Sequence, residues 1–135
     1  MRELTVRLML ADDHLGVRER IRDLVSPEHE VLGAFEDCES MLNCIDTLCP
    51  EMVLLDISMP VMGGFSLAQQ IHHSWPAIKI IFVSQHRERA YLDKAWDVGA
   101  SGYVLKGSLL ADLLPAIREV SAGHTFISPQ LAYRS

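Results

Sequence analysis

Residues 52–64 read Met52-Val53-Leu54-Leu55-Asp56-Ile57-Ser58-Met59-Pro60-Val61-Met62-Gly63-Gly64. The first four are apolar without a break, which suits a strand buried on both faces of a parallel sheet and not the alternation of a sheet with one wet face. An acid, Asp56, follows at once, and Pro60, Gly63 and Gly64 interrupt any regular structure before the next apolar period begins. The stretch therefore predicts a central strand that carries a carboxylate into a loop at its carboxyl end.

Outward from this strand the same unit recurs. Strand-like runs are expected over residues 5–11, 30–34, 52–55, 78–83 and 101–105, separated by helical periods over 14–25, 38–48 and 65–74, a fourth helix running to 98 and a last one toward 121. Five such alternations predict one α/β domain with a parallel sheet wrapped by helices on both faces. Gly99 is placed to cap the fourth helix in the left-handed region. Pro115 removes a donor from the last helix, so either Asp112 caps a helix starting near Leu113 or the helix kinks.

Composition bounds the function. At 135 residues, 49% hydrophobic and 22% charged, the chain is the size and kind of a single globular domain. No apolar run approaches the ~20 residues of a membrane span, and Met1-Arg2-Glu3-Leu4 leads into the first strand without a signal-peptide pattern. A cytoplasmic protein with no membrane partner is expected. Cys38, Cys44 and Cys49 form no CxxC pair and read as reduced thiols. The net charge of −6 repels phosphate backbones, so direct nucleic-acid binding by this stretch is not expected.

The chemistry lies at the strand ends. The first strand ends in Asp12-Asp13, the third in Asp56, the fourth in Ser84 and the fifth in Lys106. In doubly wound sheets the carboxyl ends of the strands line the ligand crevice, and a strand order of 2-1-3-4-5 makes these four ends neighbours. Three carboxylates, a hydroxyl and an ammonium suit phosphoryl transfer onto a carboxylate with help from a hard divalent cation such as Mg²⁺. Asp56 would be the nucleophile, Lys106 would offset charge on the equatorial oxygens, and Ser84 would donate to one of them.

Residues 56–64 resemble the phosphoacceptor motif of two-component response-regulator receivers, and the resemblance runs from Asp12-Asp13 through Gly99-Ala100-Ser101-Gly102-Tyr103-Val104-Leu105-Lys106. Together with Ala122-Gly123-His124-Thr125-Phe126-Ile127-Ser128-Pro129, the last of these segments is most similar to the NarL/FixJ branch. The resemblance implies a single flavodoxin-like (βα)5 receiver with five parallel strands in the order 2-1-3-4-5, over residues 1–123. Residues 124–135 would be a tail or the start of a linker to an absent LuxR-type helix-turn-helix, through which any DNA contact would be made. It further implies that Asp13, Asp56 and the carbonyl of Ser58 ligate Mg²⁺, that Asp12 acts through a bound water, and that Ser84 and Tyr103 form the switch. A sensor histidine kinase would be the phosphodonor, and the domain would assist its own phosphorylation and dephosphorylation without being an enzyme in the ordinary sense. Phosphorylation would promote a homodimer, for which Leu92 and Trp96, four apart on the fourth helix, are candidate contacts.

Other readings are weaker. A dehalogenase-like phosphatase needs a second acid two residues beyond its nucleophile, which Asp12-Asp13-His14 lacks, and no Gly-rich phosphate loop follows the first strand. A degenerate receiver that serves as an interaction module without phosphotransfer is the alternative that shares every structural feature. His72 and His73, adjacent on a helix, point about 100° apart and are expected at the surface. His14 is expected to be exposed and His86 to shape access to Asp56. Gly63 stands where the family often has Asp or Asn, leaving the third helix without a side-chain cap. Gly107 stands where many receivers have proline, so a trans Lys106–Gly107 peptide, a mobile loop and a Lys106 held away from Asp56 are expected.

Overall fold

Successive parallel strands need a crossover long enough to return the chain, and the amphipathic segments between the apolar runs supply it as helices. The computed structural model describes residues 5–132. The order is β1 (Arg7–Ala11), α1 (Leu15–Val25), β2 (Glu30–Phe35), α2 (Cys38–Leu48), β3 (Met52–Leu55), α3 (Gly64–Ser74), β4 (Lys79–Ser84), α4 (Arg89–Asp97) and β5 (Gly102–Leu105). A short 3-10 turn (Lys106–Ser108), α5 (Leu109–Ser121), β6 (Phe126–Ile127) and α6 (Pro129–Ala132) follow. Met1-Arg2-Glu3-Leu4, read above for its lack of a leader pattern, and residues 133–135 of the expected tail lie outside the described residues.

The sheet is parallel throughout, in the order β2-β1-β3-β4-β5-β6. The expected five strands are therefore six. Two residues, Phe126 and Ile127, add to the free edge of β5 opposite Gly102 and Tyr103, and a strand that short leaves no period to read in a sequence. It shields an edge that would otherwise present unpaired backbone groups.

Alternating side chains divide the strands between two cores. Ile80 and Phe82 of β4 point with Val53, Leu55, Tyr103 and Leu105 toward α2, α3 and α4, whereas Ile81 and Val83 point with Leu54 and Val104 toward α1 and α5. Both sets are buried, which is why β3 reads as an unbroken apolar run.

Local geometry explains several residue choices. Gly99 has φ +99°, and the amide after it, Ala100 N–H, reaches back to the Ala95 carbonyl at 3.0 Å, closing α4 as expected. Gly63, φ +81°, begins α3 with no side-chain cap. Gly64 is set by space: a Cβ there would lie 2.0 Å from the Asp56 carbonyl oxygen. Of the two readings of the last helix, the one in which Asp112 caps a start near Leu113 is excluded, because α5 starts at Leu109 and carries Pro115 inside it. Asp112 is buried, and its carboxylate accepts from the Ser128 hydroxyl at 2.8 Å instead of capping the helix.

Candidate functional site

Pairing of β1 with β3 sets Ala11 beside Leu55, so Asp12 and Asp56, the next residues, stand together past the strand ends. The ladder continues into them: the Asp12 amide donates to the Phe35 carbonyl and the Asp56 amide to the Ala11 carbonyl, both at 3.0 Å. On the other side Ser84 lies opposite Leu105, which brings Lys106 to the same edge. The sheet register alone thus gathers the polar strand ends.

One device orients three of these side chains. Asp12 Oδ1 accepts the His14 amide at 2.9 Å, Asp56 Oδ1 accepts the Ser58 amide at 3.3 Å, and Ser84 Oγ accepts the His86 amide at 3.0 Å. Each is held by the N–H two residues on, the geometry short polar side chains favour in turns. With Oδ1 fixed, the Oδ2 atoms of Asp12 and Asp56 face Lys106 Nζ, at 2.9 and 3.3 Å. Among the described residues these two buried oxygens accept no well-aligned hydrogen bond, and the ammonium meets them only as an ion pair. The Lys106–Gly107 peptide is trans, as expected. The expected separation of Lys106 from Asp56 is overturned, because two buried carboxylates draw the ammonium in.

Burial decides the electrostatics. Desolvation, reinforced by the charge of Asp12, pushes the Asp56 carboxyl above the usual range, against the opposing pull of Lys106 and the Ser58 amide. For Lys106, burial works to lower the ammonium, but the close contact with Asp12 and the charges of Asp56 and Asp12 outweigh it and hold it above the ordinary lysine value.

Asp13 is exposed, and its Oδ1 lies 3.0 Å from His14 Nδ1, which is 3.5 Å from Asp12 Oδ1. Oxygen atoms of Asp12, Asp13 and Asp56 and a nitrogen of His14 lie within 4.8 Å of one another. Hard carboxylate oxygens, two of them buried without regular hydrogen bonds, fit a small divalent cation.

Tyr103 is fully buried, so its ring already lies inside, and its hydroxyl donates to the His86 carbonyl at 2.9 Å. Burial pushes its phenol up. The His86 ring stacks on Tyr91 at 4.0 Å between centroids, with Nε2 3.1 Å from Ser58 Oγ. His86 therefore joins Ser84, Tyr103 and the loop after Asp56. Its spacing from Ser84 was the available signal, but stacking on Tyr91 is a tertiary fact. Arg18 was not singled out in the sequence, and its guanidinium donates to the Asp12 carbonyl at 2.8 Å from α1. His72 and His73 are at the surface as expected.

Residues 8–118 match the family model described as the response regulator receiver domain. The chain belongs to that family. Curated relatives of this receiver include the response regulator GacA of Pseudomonas viridiflava, 35% identical over 129 residues that cover 94% of this chain and 60% of GacA. The transcriptional regulatory protein DegU of Brevibacillus brevis is 29% identical over 133 residues, covering 97% and 56% of the two chains. The receiver thus spans about 60% of the length of such relatives. Among solved structures, a two-component response regulator of the LuxR family from Aurantimonas sp. SI85-9A1 superposes with a TM-score of 0.91 at 34% identity, covering 96% of this chain and 94% of that one. The isolated receiver of RcsB from Salmonella enterica serovar Typhimurium, in the presence of the phosphomimetic BeF3−, gives 0.89 at 27%, covering 96% and 98%. These relatives lie in the NarL/FixJ branch to which the sequence pointed. No helix among the described residues is long and apolar enough to cross a membrane.

Proposed function

We propose that this receiver is a phosphorylation switch in which Asp56 accepts a phosphoryl group from a histidine kinase. The observation that carries the reading is the convergence of Lys106 Nζ on the buried Oδ2 atoms of Asp12 and Asp56. A carboxylate oxygen of Asp56 forms the bond to phosphorus as the bond to the donor nitrogen breaks, and the electron pair leaves with the imidazole of the kinase. Lys106 offsets charge on the transferred oxygens. The Ser84 hydroxyl, whose oxygen already accepts the His86 amide, retains its own proton to donate to one of them.

The residues that would hold Mg²⁺ are Asp13, Asp56 and the carbonyl of Ser58, with Asp12 acting through a water. When bound, the ion offsets carboxylate and phosphoryl charge together. Nucleophilic attack needs Asp56 ionised, the form that Lys106 and the Ser58 amide favour.

Ser84 and Tyr103 act as the switch through the His86 backbone that both touch, and the phosphorylated state differs from the resting one in its population of contacts at α4 and β5. The receiver assists its own phosphorylation and dephosphorylation and works in the cytoplasm. The signal passes to an output beyond these residues. One RcsB structure is a complex with DNA, and a DNA-binding output is the matching reading here.

The test is incubation with Mg²⁺ and acetyl phosphate, followed by intact mass. One base-labile phosphoryl group is expected on the wild type, none on Asp56→Asn and little with EDTA. Identical spectra for wild type and variant would favour an interaction module without phosphotransfer.

A further inference from the structure

Glycine after Lys106 gives the turn wide freedom, yet Nζ is held at 2.9 and 3.3 Å from its two acids. A second set of bonds fixes the backbone that carries it. The Leu105 amide donates to Ser128 Oγ at 2.9 Å, and the same hydroxyl donates to Asp112 Oδ2 at 2.8 Å. Ser128 is 0% exposed and Asp112 8%. The Ser128 amide in turn donates to the Tyr103 carbonyl at 2.9 Å. One residue therefore grips β5 on both sides of Val104, and through Asp112 it also grips the first turn of α5. The turn Lys106–Ser108 is clamped at both ends. A serine hydroxyl has one proton to give and lone pairs to accept with, and both capacities are used here.

We propose that Ser128, oriented by Asp112, is a positioning residue of the phosphoacceptor site: it fixes the end of β5 so that Lys106 is delivered to Asp12 and Asp56. Residues 126–128 then belong to the working site and are more than a connector. The inference rests on the reading of Asp56 as phosphoacceptor.

The test is the initial rate of Asp56 phosphorylation by acetyl phosphate and Mg²⁺ in the full chain. Ser128→Ala is expected to slow it about tenfold, and Ser128→Thr, which keeps the hydroxyl, to recover most of the rate. In a Lys106→Ala background Ser128→Ala should add nothing, because a residue that acts through the lysine has no route left. A merely structural lesion would lower both backgrounds alike. Should Ser128→Ala not fold, Ser128→Cys, similar in size but a weaker acceptor, is expected to show part of the same loss. Wild-type rates in the folded Ser128 variant, or equal losses with and without Lys106, would overturn the positioning role. A wild type that takes no phosphate overturns the phosphoacceptor reading itself, and the positioning role falls with it.

Discussion

Asp56 is buried beside a second buried acid, and this makes the site a weak point of the metal-free fold. Two like charges ~4 Å apart repel by roughly 4 kcal/mol at an effective dielectric near 20, and Lys106 and the Ser58 amide oppose that here. The folded carboxyl of Asp56 sits above its unfolded value, about 3.9. The native state therefore keeps the proton longer, and stability falls as pH rises through the window between those two values. Asp56→Asn removes the penalty and is expected to raise the metal-free Tm at pH 7 by about 3 °C or more, with the gap closing below pH ~4. Calorimetry in EDTA at both pH values measures this, and an equal or lower Tm for the variant at pH 7 would contradict it. The sequence showed an acid pair after β1 but not which member turns inward. The register of β1 on β3 buries Asp12 and leaves Asp13 outside with His14.

Elements were legible wherever a period was long enough to read. The bounds of α2 and β3 match the expectation, and those of β1, β2, β4, β5, α1 and α3 shift by a residue or two at their ends, as helix and strand ends do. Three features escaped because each rests on partners far apart in the chain: β6 pairs with β5, Asp112 near the start of α5 is bonded to Ser128, and Lys106 meets Asp12 and Asp56. The loop from β3 to α3 offers a sharper test. Gly64 permits the first turn of α3 to touch the backbone of Asp56 and Ile57, so the helix can start where it holds the loop after Asp56. Gly64→Ala forces a Cβ against that backbone and is expected to cost about 3 kcal/mol, the upper end for overpacking. Urea unfolding should show a lower midpoint at an unchanged slope. An unchanged midpoint would mean that the loop adapts freely.

At the scale of the molecule, one sheet does two jobs: its carboxyl edge gathers the acids, Ser84 and Lys106, and its far strands carry Tyr103 and the segment 126–128. The alternation of strands and helices made the architecture and the candidate site readable, because in this topology strand ends and site coincide. A ligand that binds only the folded form stabilises it by mass action, so Mg²⁺ should raise the melting curve of the wild type. Leu92 and Trp96 are half-buried against the core, leaving part of each side chain for a partner. We infer that a beryllofluoride mimic promotes a dimer that Trp96→Ala weakens, and sedimentation giving one mass with and without the mimic would remove this idea. The most direct measurement is to locate the phosphoryl group. After reaction with acetyl phosphate and Mg²⁺, borohydride reduces an aspartyl phosphate to homoserine, and peptide mass mapping then reports its position. Homoserine at position 56 and nowhere else is the predicted result; unreacted aspartate at 56, or the mark on Asp12 or Asp13, would contradict the account.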